Sequence, residues 1–389
     1  MIGRKHLLFV SDLLKCEEYL NNEIQTSRFL IIGGAGSIGQ AVTKEIFSRS
    51  PSVLHVVDIS ENNLVELVRD LRSTIGYIKG DFKTFAIDCG SLEFEYLVHS
   101  HKYDYIFNLS ALKHVRSEKD PYSLMRLIDV NILNTQKTLA LAKQNGVKKY
   151  FCVSTDKAAN PVNLMGASKR VMEKLLLSDT SEMSISTARF ANVAFSDGSL
   201  LHGFGQRILK KQPISAPCDV LRYFVTPKEA GLLCLFSGIL GEQHDIFFPK
   251  LSAALNQMTF SDIAENFLRH QGYEPVLCET EEEARRYVED KNLSAQWPVY
   301  FFKSDTTGEK EFEEFFTEDE TVDLDSYVDI GIVKNTDISG HGNVDEFIDS
   351  IERLKRKKQW TKAEILEIFT VCLGNLEHKE TGKSLDERM

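Results

Sequence analysis

The sequence predicts an α/β protein: a doubly wound parallel sheet joined to a smaller mixed α/β part. Three observations predict it. Short apolar runs alternate with helical patterns from residue 28 to residue 190, the signature of successive βα units. The first apolar run passes straight into a glycine-rich turn that opens a helix. From Thr259 onward the regular alternation stops, and strand-like and helical stretches mix. The chain therefore divides into a helical lead-in over 1–27, a main α/β domain over 28–250, and a C-terminal binding and helical extension over 251–389, with strands interleaving from about 190.

Composition narrows the class of partner. The chain has 389 residues, 42% hydrophobic and 26% charged, as in a soluble globular protein. A net charge of −11 and a pI near 5.5 argue against nucleic acid and anionic membrane surfaces, while leaving room for a local basic pocket. The seven cysteines form no CxxC pair and are odd in number, so reduced thiols and a cytoplasmic setting are expected. The apolar run Leu7–Val10 is too short for a signal-peptide core, and no stretch approaches the ~20 apolar residues of a membrane span. His99 and His101 have HxH spacing, but no further His or Cys supports them, and no metal is expected.

The elements follow in order. Phe29–Ile32 is a wholly apolar strand, and Gly33-Gly34-Ala35-Gly36-Ser37-Ile38-Gly39 follows it directly. The next helix has Ile38, Val42, Ile46 and Phe47 as its inner face. Gly34, Gly36 and Gly39 have the spacing of a dinucleotide-binding turn: one for the tight turn, one for approach of the pyrophosphate, one for helix–strand packing. A second strand, Val53–Val57, ends in Asp58, placed to bond an adenosine ribose, and no arginine follows directly, so NAD is favoured over NADP. Ser60 caps a helix through Leu71. Phe82–Ile87 is the third strand, leading to Asp88 and Cys89; Asp88 either faces the adenine or is a plain turn residue. Tyr103–Leu109 is the fourth, leading to Ser110 and Ala111, small enough for a cofactor to approach. Lys113 and His114 beyond them point at substrate or form a solvated loop. Asp120-Pro121 opens a long helix ending at Asn145-Gly146, with Asn131 in its middle, costly there unless bonded.

The fifth strand, Lys149–Val153, delivers Ser154-Thr155-Asp156-Lys157 to the mouth of the sheet, with Met165 and, one turn on, Lys169 on the helix that follows. A hydroxyl, a carboxylate and an amine side by side can move protons; the plainer reading is an Asp-stabilised turn. Ser184–Phe190 is the sixth strand, then come Asn192, the loop Ser196–Ser199, a helix to Lys211, and a short strand Arg222–Thr226 with Thr226-Pro227 capping the next helix. Arg189, Arg207, Lys210 and Arg222 either gather around a diphosphate or are unrelated cations. Beyond lie a helix to His270, a strand Pro275–Cys278, a helix Glu281–Asp290 and a strand Pro298–Phe302. The loop Ser304–Lys310 offers donors and acceptors to a sugar or base, and acidic Gly308–Ser326 reads as a solvated face. Two packing helices, Val344–Lys357 and Thr361–His378, precede a frayed tail from Glu380.

GGAGSIG at 33–39, SALKHV at 110–115, STDKAANPVNLMGASK at 154–169 and ARFANV at 188–193 make the chain resemble the extended short-chain dehydrogenase/reductases, which have a Rossmann-like sheet. More narrowly it resembles the polysaccharide-biosynthesis nucleotide-sugar 4,6-dehydratases over about 28–250, and its C-terminal part is similar to soluble members that begin legionaminic acid synthesis. The resemblance implies NAD held by Gly33, Gly34, Gly36, Ser37, Ile38, Gly39, Asp58, Asp88, Cys89, Ser110, Ala111, Lys113, Asn131 and Lys169. It implies UDP- or GDP-linked N-acetylglucosamine as substrate, met by Lys113, His114, Asn192, Arg207 and Arg222. The implied reaction oxidises C4, eliminates water across C5 and C6, and returns the hydride to C6. In it Thr155 bonds the C4 oxygen, Asp156 is the acid at the C6 hydroxyl, Lys157 the base at C5, and Lys169 holds the nicotinamide ribose. The wider superfamily has a tyrosine acid/base where this chain has Met165; members with Met there retain configuration at C5, as in the bacillosamine pathway. A homodimer through the helices at 121–145 and 164–178 is also implied. A 4-epimerase or reductase of the same superfamily, or a non-catalytic NAD sensor, is the alternative.

Overall fold

Six parallel strands explain why the motifs meet. β1 (Arg28–Ile32) lies between β2 (Val53–Asp58) and β4 (Tyr105–Asn108), β3 (Asp81–Ala86) lies outside β2, and β5 (Lys149–Val153) and β6 (Ser184–Ala188) continue beyond β4. The order 3-2-1-4-5-6 reverses direction between β1 and β4. Loops leaving the carboxyl ends of those two strands diverge there and open a crevice. The coordinates are a computed structural model that describes residues 2–4, 6–250, 257–290, 293, 295–304, 313–334, 343–374 and 376–378.

Alternation along β1 assigns its two faces. Phe29 and Ile31 join one apolar layer with Val42, Ile46 and Phe47, whereas Leu30 and Ile32 join another with Phe94, Leu139 and Leu176. The first layer is covered by α1 (Val10–Thr26), α2 (Ser37–Ser48) and α3 (Glu61–Thr74), the second by α4 (Leu92–Ser100) and by α6 (Asn134–Gln144), which continues from α5 (Pro121–Ile128) through a π-helical turn (Asp129–Leu133). α7 (Leu164–Leu177) closes the second layer through Met172 and Leu176. Ser60 accepts from Asn63 N–H at 3.3 Å and Asp120 from Tyr122 and Ser123 N–H, so both helix starts form as their sequences direct. α4 is absent from the sequence reading. Asp12 of α1 is fully buried and accepts from Val328 and Asp329 N–H at 2.6 and 2.8 Å, tying the lead-in to the far edge of the sheet.

The sheet is wider than the sequence suggests. After α8 (Leu200–Leu209) and α9 (Pro227–Leu240), β10 (Asp245–Pro249) pairs parallel with β6, β15 (Ile330–Lys334) runs antiparallel to β10, and β14 (Thr321–Asp323) forms the ninth, edge strand. Two smaller sheets build the mixed part. One joins β7 (Asn192–Val193), β9 (Leu221–Val225) and β11 (Gln257–Thr259), the other β8 (Ile214–Pro217), β12 (Glu274–Cys278) and β13 (Gln296–Phe302). α10 (Phe260–His270) and α8 pack on them around Phe204, Phe267 and Trp297; α11 (Glu281–Asp290) lies beside β13. Residues on both sides of position 250 thus contribute to every sheet. No helix among the described residues is long and apolar enough to cross a membrane.

Part of the face expected to meet a second copy, on α7 and the adjoining side of α5, is covered by the chain itself. α12 (Val344–Lys357) and α13 (Lys362–Leu373) place Phe347, Ile351, Ile365 and Phe369 against Leu124, Ile128, Leu164 and Val171 of α5 and α7. Every residue of α7 is buried except the half-buried Arg170 and Lys174, so within one chain it has no face left for a partner. α12 and α13 show the apolar spacing that lets them do this; α13 ends at Leu373, short of the expected His378.

Candidate active site

The glycine turn is built for a close approach. Gly33 has φ 72°, and a Cβ there would lie 2.7 Å from Ser110 N, so the turn after β1 touches the loop after β4. A Cβ at Gly39 would collide with the Gly33 carbonyl and lie 2.7 Å from the Gly34 Cα, whereas one at Gly36 would meet only the Gly33 oxygen, at 3.6 Å. The protein's own packing therefore demands glycine at 39 and not at 36. Asp58 reaches across the turn, accepting from Ala35 N–H at 3.0 Å and Ser60 N–H at 2.9 Å, which fixes its carboxylate at the rim. These residues fit a dinucleotide at the N-terminus of α2.

The neighbouring residues are tied to one another. Ser110 donates to Asn108 Oδ1 at 2.8 Å and lies 3.8 Å from Cys89 Sγ, itself buried. Asp88, read as facing adenine or as a turn residue, accepts from Gly90 N–H and from Arg126 Nη2 at 3.1 Å. Asn131 sits in the π-helical turn, where the extra residue aims it inward. It is fully buried, accepts from Leu112 N–H at 2.9 Å and donates to Leu112 O and Ser168 Oγ. The bonding that a mid-helix Asn requires is met within the protein, and Asn131 ties down the Ser110–Leu112 loop. Ser37 and Asp197 bond each other at 2.9 Å, and a Cβ at Gly198 would touch His114, so the Ser196–Ser199 loop bridges the glycine turn and the SALKHV loop. Lys113 is exposed beside it.

The stretch after β5 forms a compact acid–base group. Thr155 donates to Asp156 Oδ1 at 2.7 Å, and Lys157 Nζ lies 3.2 and 3.3 Å from the two Asp156 oxygens. Asp156 is buried, Lys157 half-buried. The Asp156 side chain thus links the Thr155 hydroxyl to the Lys157 amine in one continuous contact. Lys169 is buried, donates to Val153 O at 2.9 Å, and burial pulls its ammonium below the usual lysine range, against the opposing pull of Cys152 and Glu173. Met165 is buried too, its N–H held by Glu118 Oε1 at 2.9 Å, and Glu118 also meets His378 at 3.1 Å. Sequence reasoning missed Glu118.

Two further expectations are corrected. Arg189 is not available to a diphosphate. It is wholly buried and gives five bonds: to Glu173 (2.9 and 2.8 Å), to Glu320 (2.7 and 2.8 Å) and to Phe315 O (2.8 Å). Nor is the acidic 308–326 stretch simply a solvated face. Glu320 is locked to Arg189, and Glu313 is 5% exposed. Of the remaining cations, Lys210 is exposed, and Arg222 is buried and acts electrostatically on Glu313. Arg207 on α8 is half-buried, burial pulls its guanidinium down, and no acid compensates it among the described residues. Asn192 bonds Glu313 Oε1. His99 bonds Asn145 and His101 bonds Leu97 O, separately. Of the loop Ser304–Lys310 only Ser304 is described, and the tail from Glu380 lies outside the described residues.

Residues 29–335 match the family described as polysaccharide biosynthesis protein. An uncharacterized membrane protein of Methanocaldococcus jannaschii is 28% identical over 83% of this chain and 90% of its own length. The capsular polysaccharide biosynthesis protein CapD of Staphylococcus aureus is 29% identical over 65% of this chain, which spans only 42% of that relative. A UDP-glucose 4-epimerase of Rickettsia typhi is 30% identical over 61% of this chain and 70% of its own. Among solved structures, Pen from Bacillus thuringiensis superposes with a TM-score of 0.64 at 24% identity, over 80% of this chain and 88% of that one. DesIV, a dTDP-glucose 4,6-dehydratase from Streptomyces venezuelae with NAD bound, superposes with a TM-score of 0.54 at 17% identity, over 74% of this chain and 88% of that one. At these identities the structural likeness is one of fold.

Proposed function

Because the chain belongs to the polysaccharide biosynthesis protein family, we propose that it is a nucleotide-sugar-modifying enzyme, and more narrowly an NAD-dependent 4,6-dehydratase of UDP- or GDP-linked N-acetylglucosamine. One observation carries the reading: the Thr155–Asp156–Lys157 group stands at the carboxyl end of β5, on the same sheet edge as the glycine turn after β1. A simple reductase needs only the turn, and a simple lyase only the group.

NAD, held by the Gly33–Gly39 turn with Asp58 at its ribose, supplies reversible oxidation at the sugar C4 when bound. The chain's own residues move the protons. Thr155 Oγ1 accepts the proton of the C4 hydroxyl as it passes its own to Asp156, 2.7 Å away. The ketone then acidifies C5, and Lys157 takes that proton as the neutral amine, having lost its own to solvent when Asp156 is protonated and regaining one from solvent when Asp156 is ionised again. Lys169 holds Val153 O at the end of β5, and Arg207 offers its guanidinium to the diphosphate. An epimerase reading draws on the Rickettsia relative; against it, Met165 stands where a proton-transferring tyrosine would be, and a thioether moves no proton.

Incubation with UDP- and GDP-N-acetylglucosamine followed by mass analysis tests the proposal. The expected product has lost water, and C4-deuterated substrate yields product deuterated at C6 within the same molecule. In heavy water C5 gains deuterium, and retention of C5 configuration is expected with Met165. An isomer of unchanged mass would establish an epimerase; label in free cofactor or in water would refute the dehydratase.

The glycines give a second expected result. Gly36→Ala should melt like the parent yet bind NAD about tenfold or more weakly, a change of ~1.4 kcal/mol. Gly39→Ala should lower the melting temperature, because its Cβ meets backbone. Thermal melts and NAD titration of both variants check this; equal loss of stability in the two would contradict it.

A further inference from the structure

Glu313 is a buried carboxyl group that the sequence reading assigned to solvent. Only 5% exposed, it lies in the segment between β13 and β14, far from the motifs in sequence. One oxygen bonds the Asn192 side chain of β7, and the other accepts from Tyr223 N–H of β9 at 2.7 Å. The charges acting on it are those of Asp156 and Lys157 from the β5 loop and Arg222 from β9. Its segment is anchored just beyond it: Asn160 bonds Glu314 at 3.1 Å, and Arg189 bonds Phe315 O and Glu320.

From this geometry we infer that Glu313 is the acid that protonates the departing C6 hydroxyl. The inference rests on the dehydratase reading and completes it. Asp156 is ion-paired to Lys157 and bonded by Thr155, so it enters the cycle as a proton acceptor. Two buried carboxyl groups acting on one another share a proton, and the one held in no ion pair among the described residues keeps it. Burial, and next the charge of Asp156, push Glu313 up to about 8, with Lys157 and Arg222 pulling the other way. The acid form therefore prevails below about pH 8 and is lost as pH rises through it. Asn192 can turn either end of its amide to Glu313, accepting from the acid and donating to the anion.

The step balances. Lys157 takes the C5 proton; the C5–H electron pair forms the C5=C6 bond; the C6–O bond breaks, and the hydroxyl leaves as water with the proton of Glu313. Bound NAD would supply the hydride that reduces C6; Lys157 gives its proton back to C5, and Glu313 recovers a proton from Asp156, which took that of the C4 hydroxyl. One water is lost and no net redox change remains.

Glu313→Gln keeps the shape and the capacity to bond Asn192 and Tyr223. It is assayed in heavy water with whichever of the two N-acetylglucosamine nucleotides the parent enzyme dehydrates. The expected result is water loss slowed by about 10²-fold or more, while recovered substrate still gains deuterium at C5. That wash-in requires C4 oxidation and Lys157 but no acid at C6, so a packing role would abolish both together. Product at near-parent rates, or joint loss of wash-in and product, overturns the inference without touching the dehydratase reading. Failure of the parent enzyme to lose water would instead remove that reading. Should the variant not fold, the parent's dehydration rate decides: it should fall as pH rises through about 8, and a flat profile there overturns the inference.

Discussion

Asp156→Asn and Lys157→Met should each lower turnover by about 10²-fold or more, the scale on which a general acid or base contributes. Asparagine keeps the size of Asp156 and still accepts from Thr155, but it cannot hold the proton of the C4 hydroxyl. Methionine keeps the length of Lys157 and cannot take a proton from C5. Neither side chain bonds the Gly33–Gly39 turn, so NAD affinity should stay at the parent value in both. Steady-state rates with the nucleotide sugar and a separate NAD titration check this. Near-parent turnover in a folded variant would take that residue out of the mechanism.

The second large effect falls on stability. Arg189→Met should cost about 3–5 kcal/mol of folding free energy, because it leaves Glu173 and Glu320 as buried carboxylates deprived of their main partner. Urea unfolding of parent and variant at one pH measures it; a change within ~1 kcal/mol would show Arg170 to be sufficient alone. The acid limb gives an independent check. Burial pushes Glu320 up, but the bonds and charge of Arg189 outweigh it and hold the group down at about 2. The stability this contributes is present above the ordinary glutamate value of about 4.5 and lost as pH falls through about 2. The variant's acid limb should be the flatter one.

Local spacing made the cofactor turn and the 154–169 stretch legible. Strand, glycines and helix follow one another within a dozen residues, so the chemistry and its structural setting are read together. Glu313 was illegible for the opposite reason. Its protonation comes from burial, and its burial from β7 and β9, about ninety residues or more away along the chain. Amid acidic neighbours it looks like one more solvated charge. Arg189 misled in the mirror sense: a cation after a strand suggests an anion to bind, and only the fold shows that α7 and the segment before β14 already supply two. The outer strands β14 and β15 are short and follow an acidic stretch, so periodicity alone does not place them on the sheet.

The C-terminal helices have one more bearing on α7, which carries Met165 and Lys169. A helix that must borrow its apolar cover from another molecule is ordered only when that molecule is present, and its firmness rises and falls with protein concentration. Here α12 and α13 are tethered to the surface they cover, at an effective concentration that dilution does not alter. The order of α7 thus draws on cover supplied within a single chain.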